Sequence, residues 1–222
     1  MGNWITLDRA DGTGLRAYRA SPPCASKGSL VVIQEIFGVN DHIRSVVARF
    51  AGEGYDAIAP ALFDRVEPGI ELGYESDDVQ RGRELRGKVA DGDALADIEA
   101  AIDRLKADGR KVAVVGYCWG GSLAWATATR LAGIDAAICY YGGQVPDMAD
   151  ESPKVPVMLH FGETDASIPL DRVEAFRQKH PDLPLHIYPA GHGFNCEQRG
   201  SYDADSAAKA LERTLAFLAE HV

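Results

Sequence analysis

The feature that most constrains the fold is the stretch "VAVVGYCWGG", Val112 to Gly121, where a run of β-branched residues ends in glycine, cysteine and two further glycines. A continuous apolar run of this kind predicts a strand buried on both faces of a parallel sheet. Glycines on both sides of Cys118 predict a sharp turn with no room for side chains, leading directly into a helix. We therefore expect the Cys118 thiol at the carboxyl edge of the sheet and at a helix N-terminus, where the thiolate form is favoured.

The rest of the chain alternates between predicted strands and helices. Residues 4–7 and 15–18 predict an opening hairpin, because Asp11-Gly12 supplies the positive φ of a tight turn. Apolar segments predict six further strands, which are "SLVVIQE", "YDAIAP", "KVAVVG", "DAAICYY", "VPVMLHFG" and "LPLHIYP". Apolar residues at helical spacing lie between them. The alternation predicts an α/β fold with a three-layer, doubly wound, mainly parallel sheet flanked by helices.

One segment resists this assignment. Between Phe63 and Gly87 the sequence "FDRVEPGIELGYESDDVQRGRELRG" follows neither period firmly, and we expect it to border the functional site. The chain has no internal repeat and no linker, so the length of 222 residues predicts a single domain, residues 1–222.

Charge and cysteine content restrict the function class. Asp and Glu number 33 against 23 Lys and Arg, a formal net charge of −10, which repels phosphate backbones and anionic lipid. No apolar run approaches the roughly 20 residues that span a bilayer. We expect a cytoplasmic monomer or small homo-oligomer that binds neither nucleic acid nor membranes. The four cysteines form no C-x-x-C pair, which fits a reducing compartment.

An aspartate and a histidine follow Cys118 along the chain, each in a loop after a predicted strand. Asp165 lies in the loop after the predicted strand "VPVMLHFG", and His192 lies after "LPLHIYP". The order nucleophile, acid, histidine is that of α/β hydrolases. His192 is expected to take the thiol proton and return it to a leaving alkoxide, while Asp165 holds the imidazole tautomer. Gly116-Tyr117-Cys118-Trp119-Gly120 then serves as a nucleophile elbow.

Two other readings of these residues are weaker. Glycine-rich turns between strand and helix also bind phosphates, but the chain has neither G-x-G-x-x-G nor a Walker lysine after the turn. The histidines show no H-x-x-x-H or H-E-x-x-H spacing. We expect no metal and no cofactor.

At this point the sequence resembles the dienelactone hydrolase family, the carboxymethylenebutenolidases of the α/β-hydrolase superfamily, over nearly its whole length. The segments that carry the resemblance are "QEIFGVN" (34–40), "VVGYCWGG" (114–121), "CYYGG" (139–143), the Asp165 loop, "AGHGF" (190–194) and "ERTLAFL" (212–218). The resemblance implies a cofactor-free hydrolase that opens dienelactone to maleylacetate, or a related lactone or ester, through an acyl-cysteine intermediate.

The resemblance also implies catalytic roles. Cys118, His192 and Asp165 would be the triad. Glu35, which spacing alone does not single out, would engage the resting thiol and move aside as substrate binds. A carboxylate beside a thiol opposes thiolate formation by like-charge repulsion, which would protect the free enzyme from oxidants.

The oxyanion hole and pocket lining follow in the same way. This fold uses the backbone N–H of the residue after the nucleophile, here Trp119, and the family analogy adds the N–H of Ile36. Phe37, Trp119, Tyr141 and Phe194 are expected to line a pocket for a planar ligand.

The chain departs from the family pattern at the substrate clamp. Well-known members hold the substrate carboxylate with two arginines, one of them four residues after the catalytic histidine, where this chain has Cys196. Arg81 is the best candidate for the first clamp, with Arg83 and Arg86 as competitors, and Arg199 is an open candidate for the second. A carboxylate in a negatively charged protein needs such a cation.

Two alternatives remain open at the level of sequence. The first is a general carboxylesterase with a different substrate range, favoured by Cys196 in the arginine position. The second is a non-catalytic ligand-binding or redox-sensing module with Cys118 as the sensor thiol, although a sensor does not need the Asp165–His192 pair.

Overall fold

The structure is a computed structural model that describes residues 2–222, and its centre is one eight-stranded sheet. The strands are β1 (Asn3–Asp8), β2 (Gly14–Ala20), β3 (Ser29–Ile33), β4 (Asp56–Pro60), β5 (Val112–Tyr117), β6 (Ala136–Tyr140), β7 (Val157–Gly162) and β8 (Leu185–Tyr188). Their spatial order is β1-β2-β4-β3-β5-β6-β7-β8. β2 runs antiparallel to both of its neighbours, and all other pairs are parallel.

Six helices cover this sheet. They are α1 (Asp41–Gly52), α2 (Ser76–Lys88), α3 (Asp91–Lys106), α4 (Trp119–Arg130), α5 (Leu170–Lys179) and α6 (Ala204–His221). Every residue of β3, β5, β6 and β7 is buried, so both faces of the central sheet are covered. The predicted mainly parallel α/β architecture is confirmed.

The opening hairpin forms as the turn sequence predicts. Gly12 adopts φ 79°, and Trp4 lies opposite Tyr18 in the antiparallel register of β1 and β2. A positive φ is accessible to glycine at little steric cost, so Asp11-Gly12 sets the turn.

The unassigned segment contains a 3₁₀ turn (Leu62–Arg65) and the helix α2. Reciprocal hydrogen bonds between Glu75 and Asp78 cap the start of α2, and only Gly82 and Leu85 of the helix are buried. A helix with so little buried surface leaves almost no apolar stripe in the sequence, which explains why periodicity did not reveal it. Across residues 2–222, no helix combines the length and apolar character needed to cross a membrane.

The topology brings four predicted site residues to one edge of the sheet. Glu35 lies just beyond β3, Cys118 beyond β5, Asp165 beyond β7 and His192 beyond β8. These strands are parallel, so their carboxyl ends meet at the same edge, where open α/β sheets bind their ligands.

Candidate active site

The turn around Cys118 is strained and depends on its glycines. Cys118 lies between β5 and α4 with φ 56° and ψ −115°, a conformation rare for any residue with a side chain. Such outliers cost about 1–3 kcal/mol and persist where surrounding structure enforces them. A Cβ on Gly116 would lie 1.9 Å from the carbonyl oxygen of Gly120, and one on Gly120 would lie 2.3 Å from that of Ile33. The glycines therefore allow the close backbone contacts that hold the thiol at the sheet edge.

Cys118, His192 and Asp165 form a continuous hydrogen-bonded chain. His192 Nε2 is 3.1 Å from Cys118 Sγ, and His192 Nδ1–H donates to Asp165 Oδ2 over 2.7 Å. The other oxygen of Asp165 accepts the N–H of Ser167 at 2.8 Å. The Ser201 hydroxyl donates to the carbonyl oxygen of His192 at 2.6 Å. Each link fixes the next, so the imidazole has one orientation and one tautomer toward the thiol.

The charge around His192 favours its protonated form. Burial by itself lowers the pKa of the imidazole, but the hydrogen bonds and negative charges of Asp165 and Cys118 outweigh burial and raise the pKa to about 10. Near neutral pH the ring therefore carries a proton on Nε2 that faces the sulfur.

Glu35 is fully buried and is paired with an arginine. Arg199 Nη1 donates to Glu35 Oε1 at 3.1 Å, and the hydroxyl of Tyr74 donates to Oε2 at 3.2 Å. The expectation that Glu35 engages the resting thiol differs from this arrangement, because the sulfur of Cys118 lies against His192 instead. A buried carboxylate needs a compensating cation, and Arg199 supplies it.

Ile36 and Trp119 line the same cavity as Cys118. The N–H groups of Ile36 and Trp119 donate to no acceptor within residues 2–222. Helix α2 packs directly on the Ile36 peptide, since a Cβ on Gly82 would lie 2.3 Å from the carbonyl oxygen of Ile36. The Trp119 ring stacks on Phe63 with centroids 5.6 Å apart. Both peptides are therefore held in place with free donors.

A cavity of about 340 Å³ opens above the thiol, a size at the small end for ligand sites. Cys118 and His192 lie on its wall, together with three arginines, Arg83, Arg86 and Arg199. A larger cavity of about 500 Å³ between α6, the start of β7 and the segment before β8 is lined by no cysteine, serine or threonine.

The comparison with known proteins agrees with this geometry. The family model described as "Dienelactone hydrolase family" matches residues 15–222. The chain belongs to the dienelactone hydrolase family. A carboxymethylenebutenolidase of Pseudomonas putida is 35% identical over 228 residues, covering 97% of this chain and 95% of that protein. This dienelactone hydrolase family member is therefore a hydrolase.

Solved structures place the fold in the same group. The structure described as "Putative Dienelactone Hydrolase" from Klebsiella pneumoniae superposes with a TM-score of 0.88 at 32% identity, covering 100% of this chain and 99% of that one. A "Dienelactone Hydrolase-like Promiscuous Phospotriesterase" from metagenomic libraries superposes with a TM-score of 0.79 at 22% identity, covering 99% and 98% of the two chains. At that identity the second likeness concerns the fold alone.

The arginine expected to clamp the substrate of this family member is on the wrong side of its helix. Arg81 pairs with Glu67 and lies 3.7 Å from Glu84, away from the cavity. Residues 81 and 83 lie about 200° apart around a helix, whereas 83 and 86 share a face. Arg83 and Arg86 therefore line the cavity and Arg81 does not, so the assignment of Arg81 was wrong.

Of the four aromatic residues expected in the pocket, Phe37 and Trp119 line it. Tyr141 and Phe194 are fully buried, which corrects their assignment to the lining. The Tyr141 ring lies edge-on to His192 with centroids 5.2 Å apart, and Phe194 packs against Tyr141 at 5.4 Å. Tyr141 therefore packs against the imidazole, and Phe194 packs against Tyr141.

Sequence reasoning missed Tyr74 and left Arg199 undecided. Tyr74 comes from the unassigned segment, where no period pointed to it, and it contacts Glu35 across 39 residues of sequence. A signal for the arginines was present in α2, where Val79, Arg83 and Arg86 follow the spacing i, i+4, i+7 and all line the cavity.

Proposed function

We propose that the protein hydrolyses small lactones or esters that carry a carboxylate, with dienelactone opening to maleylacetate as the leading candidate. The observation that carries this proposal is the hydrogen-bonded chain Cys118–His192–Asp165 at the wall of an arginine-lined cavity. The names of curated relatives, among them the carboxymethylenebutenolidase of Pseudomonas putida, support the substrate class.

Acylation begins with attack of Cys118 Sγ on the lactone carbonyl carbon. The carbonyl oxygen becomes an oxyanion that accepts hydrogen bonds from the N–H groups of Ile36 and Trp119. Collapse of this intermediate breaks the carbon–oxygen bond of the ring, and His192 Nε2 gives its proton to the departing oxygen. The product of this half-reaction is a thioester on Cys118 with the ring open.

Deacylation uses the same groups in the reverse direction. His192, now neutral, takes a proton from water while the water oxygen attacks the thioester carbonyl. The carbon–sulfur bond breaks, the product acid gives its proton to solvent and leaves as a carboxylate, and the thiolate again faces a protonated imidazole. With dienelactone, the freed enol becomes the ketone of maleylacetate, so the net reaction adds one water.

The arginines supply the selectivity for an anionic substrate. Arg86 is partly engaged with Asp91 at 2.9 Å, and Arg199 is engaged with Glu35. Arg83 is exposed at the cavity wall and makes no ion pair within the described residues 2–222. A substrate carboxylate would therefore bind Arg83 first and compete with Glu35 for Arg199, which couples substrate binding to movement of Glu35.

The test compares dienelactone with a neutral phenyl ester, using the wild type and Cys118→Ala. The proposal expects wild-type turnover of dienelactone, followed by loss of its absorbance, and no turnover by Cys118→Ala. Cleavage of the phenyl ester through Cys118 without dienelactone turnover would support a general carboxylesterase. Failure on every ester, with Cys118 still oxidised rapidly by peroxide, would contradict the proposal and favour a sensor thiol.

A further inference from the structure

A buried group of three side chains lies next to the catalytic pocket and is only partly used by the proposed reaction. Glu35, His42 and Cys196 each offer one ligand atom, and the carboxylate oxygen, ring nitrogen and sulfur all lie within 4.8 Å of one another. All three residues are buried. They come from separate places, the end of β3, the first turn of α1 and the loop after His192, so the fold itself assembles them.

His42 supplies a second and independent observation. Neither ring nitrogen has a hydrogen-bond partner among residues 2–222. Leaving a buried polar group unpaired costs about 1–3 kcal/mol, so such groups have a partner in the functioning protein. The rings of Tyr74 and Tyr117 lie edge-on to the imidazole at 6.5 and 6.4 Å between centroids and do not provide one.

We propose that Glu35, His42 and Cys196 bind a Zn²⁺ ion. Carboxylate oxygen, imidazole nitrogen and thiolate sulfur are the three donor types that zinc takes in proteins, whereas Mg²⁺ and Ca²⁺ take oxygen. Bonds of about 2.1 Å to nitrogen or oxygen and about 2.3 Å to sulfur place tetrahedral ligand atoms about 3.4–3.7 Å apart. The observed group, within 4.8 Å, reaches this spacing through shifts of about 1 Å. The fourth position is open to water.

Charge and access are consistent with such an ion. The carboxylate and the thiolate together balance two positive charges, and the Cys196 thiol proton leaves to solvent as the zinc–sulfur bond forms. Arg199 stays on Glu35 Oε1 while the ion takes Oε2, which now accepts from Tyr74. Arg199 also lines the cavity, so the entry path runs past it.

Zinc at this site would hold Glu35 beside Cys196 and inhibit hydrolysis. That consequence rests on the proposed function, whereas binding of the ion does not. Binding of the ion is measured by absorption without any ester substrate, so its failure is distinguishable from failure of the proposed function. The absence of metal-binding spacing among the histidines predicted no metal, but these ligands are separated by up to 161 residues and meet only in the fold.

The binding test uses Co²⁺ as a spectroscopic stand-in for zinc on the purified full-length chain. We expect a thiolate-to-cobalt charge-transfer absorption that saturates at one ion per chain and disappears when Zn²⁺ is added. Cys196→Ser and His42→Gln should each weaken cobalt binding at least about tenfold. Loss of a residue that only hydrogen-bonds to a metal ligand already lowers metal affinity by about that factor. The matched control is Cys24→Ser, an exposed thiol that should change nothing.

A rival site exists at the catalytic pair of Cys118 and His192, and Cys118→Ala separates the two. Retention of the cobalt band in Cys118→Ala and its loss in Cys196→Ser support the proposal. The reverse pattern, or no band in the wild type, overturns it. X-ray absorption of zinc-loaded Cys118→Ala gives a second measurement that does not depend on folding of the ligand variants. One sulfur neighbour with the remainder nitrogen or oxygen is expected, and no sulfur neighbour contradicts the site.

Discussion

The ion pair between Glu35 and Arg199 makes a quantitative prediction for Arg199→Met. The Glu35 side chain is 1% exposed and the Arg199 side chain 20%, with 3.1 Å between Oε1 and Nη1. Without the arginine, the buried carboxylate keeps only its hydrogen bond from Tyr74. Removing one partner of a buried ion pair costs about 3–5 kcal/mol, and the partial exposure of Arg199 places the expected loss at the lower end, about 3 kcal/mol. For a chain of this length that corresponds to a fall of about 6–12 °C in the thermal midpoint.

The assay is urea unfolding of four proteins: the wild type, Arg199→Met, Glu35→Gln, and the double variant. If the loss arises from the stranded charge, Glu35→Gln in the Arg199→Met background should recover most of the unfolding free energy. A loss below about 1 kcal/mol, the value of an exposed pair, would refute the reasoning. So would a double variant no more stable than Arg199→Met.

Three further predictions follow from the site. Asp165 and Cys118 raise the pKa of His192 to about 10, although burial alone would lower it. The pKa should therefore fall in Cys118→Ala. An unchanged imidazole titration by NMR would contradict this. Because the pKa is raised on folding, the stabilisation by the protonated ring is complete below the ordinary value of 6.5 and is lost as pH rises through about 10. In the folded enzyme the imidazole loses its proton only as pH rises through about 10, so hydrolysis should decline there, and a rate that stays constant above that pH would count against His192 as the proton donor. Arg83→Gln should raise KM for a carboxylate-bearing lactone at least about tenfold, given about 1.5–3 kcal/mol for a hydrogen bond to a charged group and about 1.4 kcal/mol per factor of ten. The matched variant Arg81→Gln should stay within about twofold, and equal effects would contradict the assignment of faces on α2.

The order of the strands, the helices other than α2 and the positions of Cys118, Asp165 and His192 at one edge of the sheet could be predicted from local patterns. The buried strand β5 has a continuous apolar sequence, and the glycines around Cys118 have a steric role that allows no other residue. Asp165 and His192 follow strands whose carboxyl ends meet in any parallel sheet. Where a residue's role depends only on its place after a strand, the sequence was sufficient.

Roles that depend on which side of an element faces the cavity could not be predicted in the same way. Arg81 and Arg83 are two positions apart on a helix whose apolar stripe is nearly absent. The sequence therefore does not indicate which face of α2 is turned toward the cavity. Glu35 pairs with Arg199 because the loop after His192 brings Arg199 to the cavity wall. Contacts between such loops are set by tertiary packing and leave no period in the sequence.

The central claim is that Cys118 is the nucleophile, and acid-quenched mass spectrometry during turnover of a slow phenyl ester tests it most directly. We expect the wild type to gain the mass of the acyl group, with the adduct on the peptide that contains Cys118, and Cys118→Ala to gain none. An adduct on Cys196 or Ser167, or turnover by Cys118→Ala comparable with that of the wild type, would contradict the account.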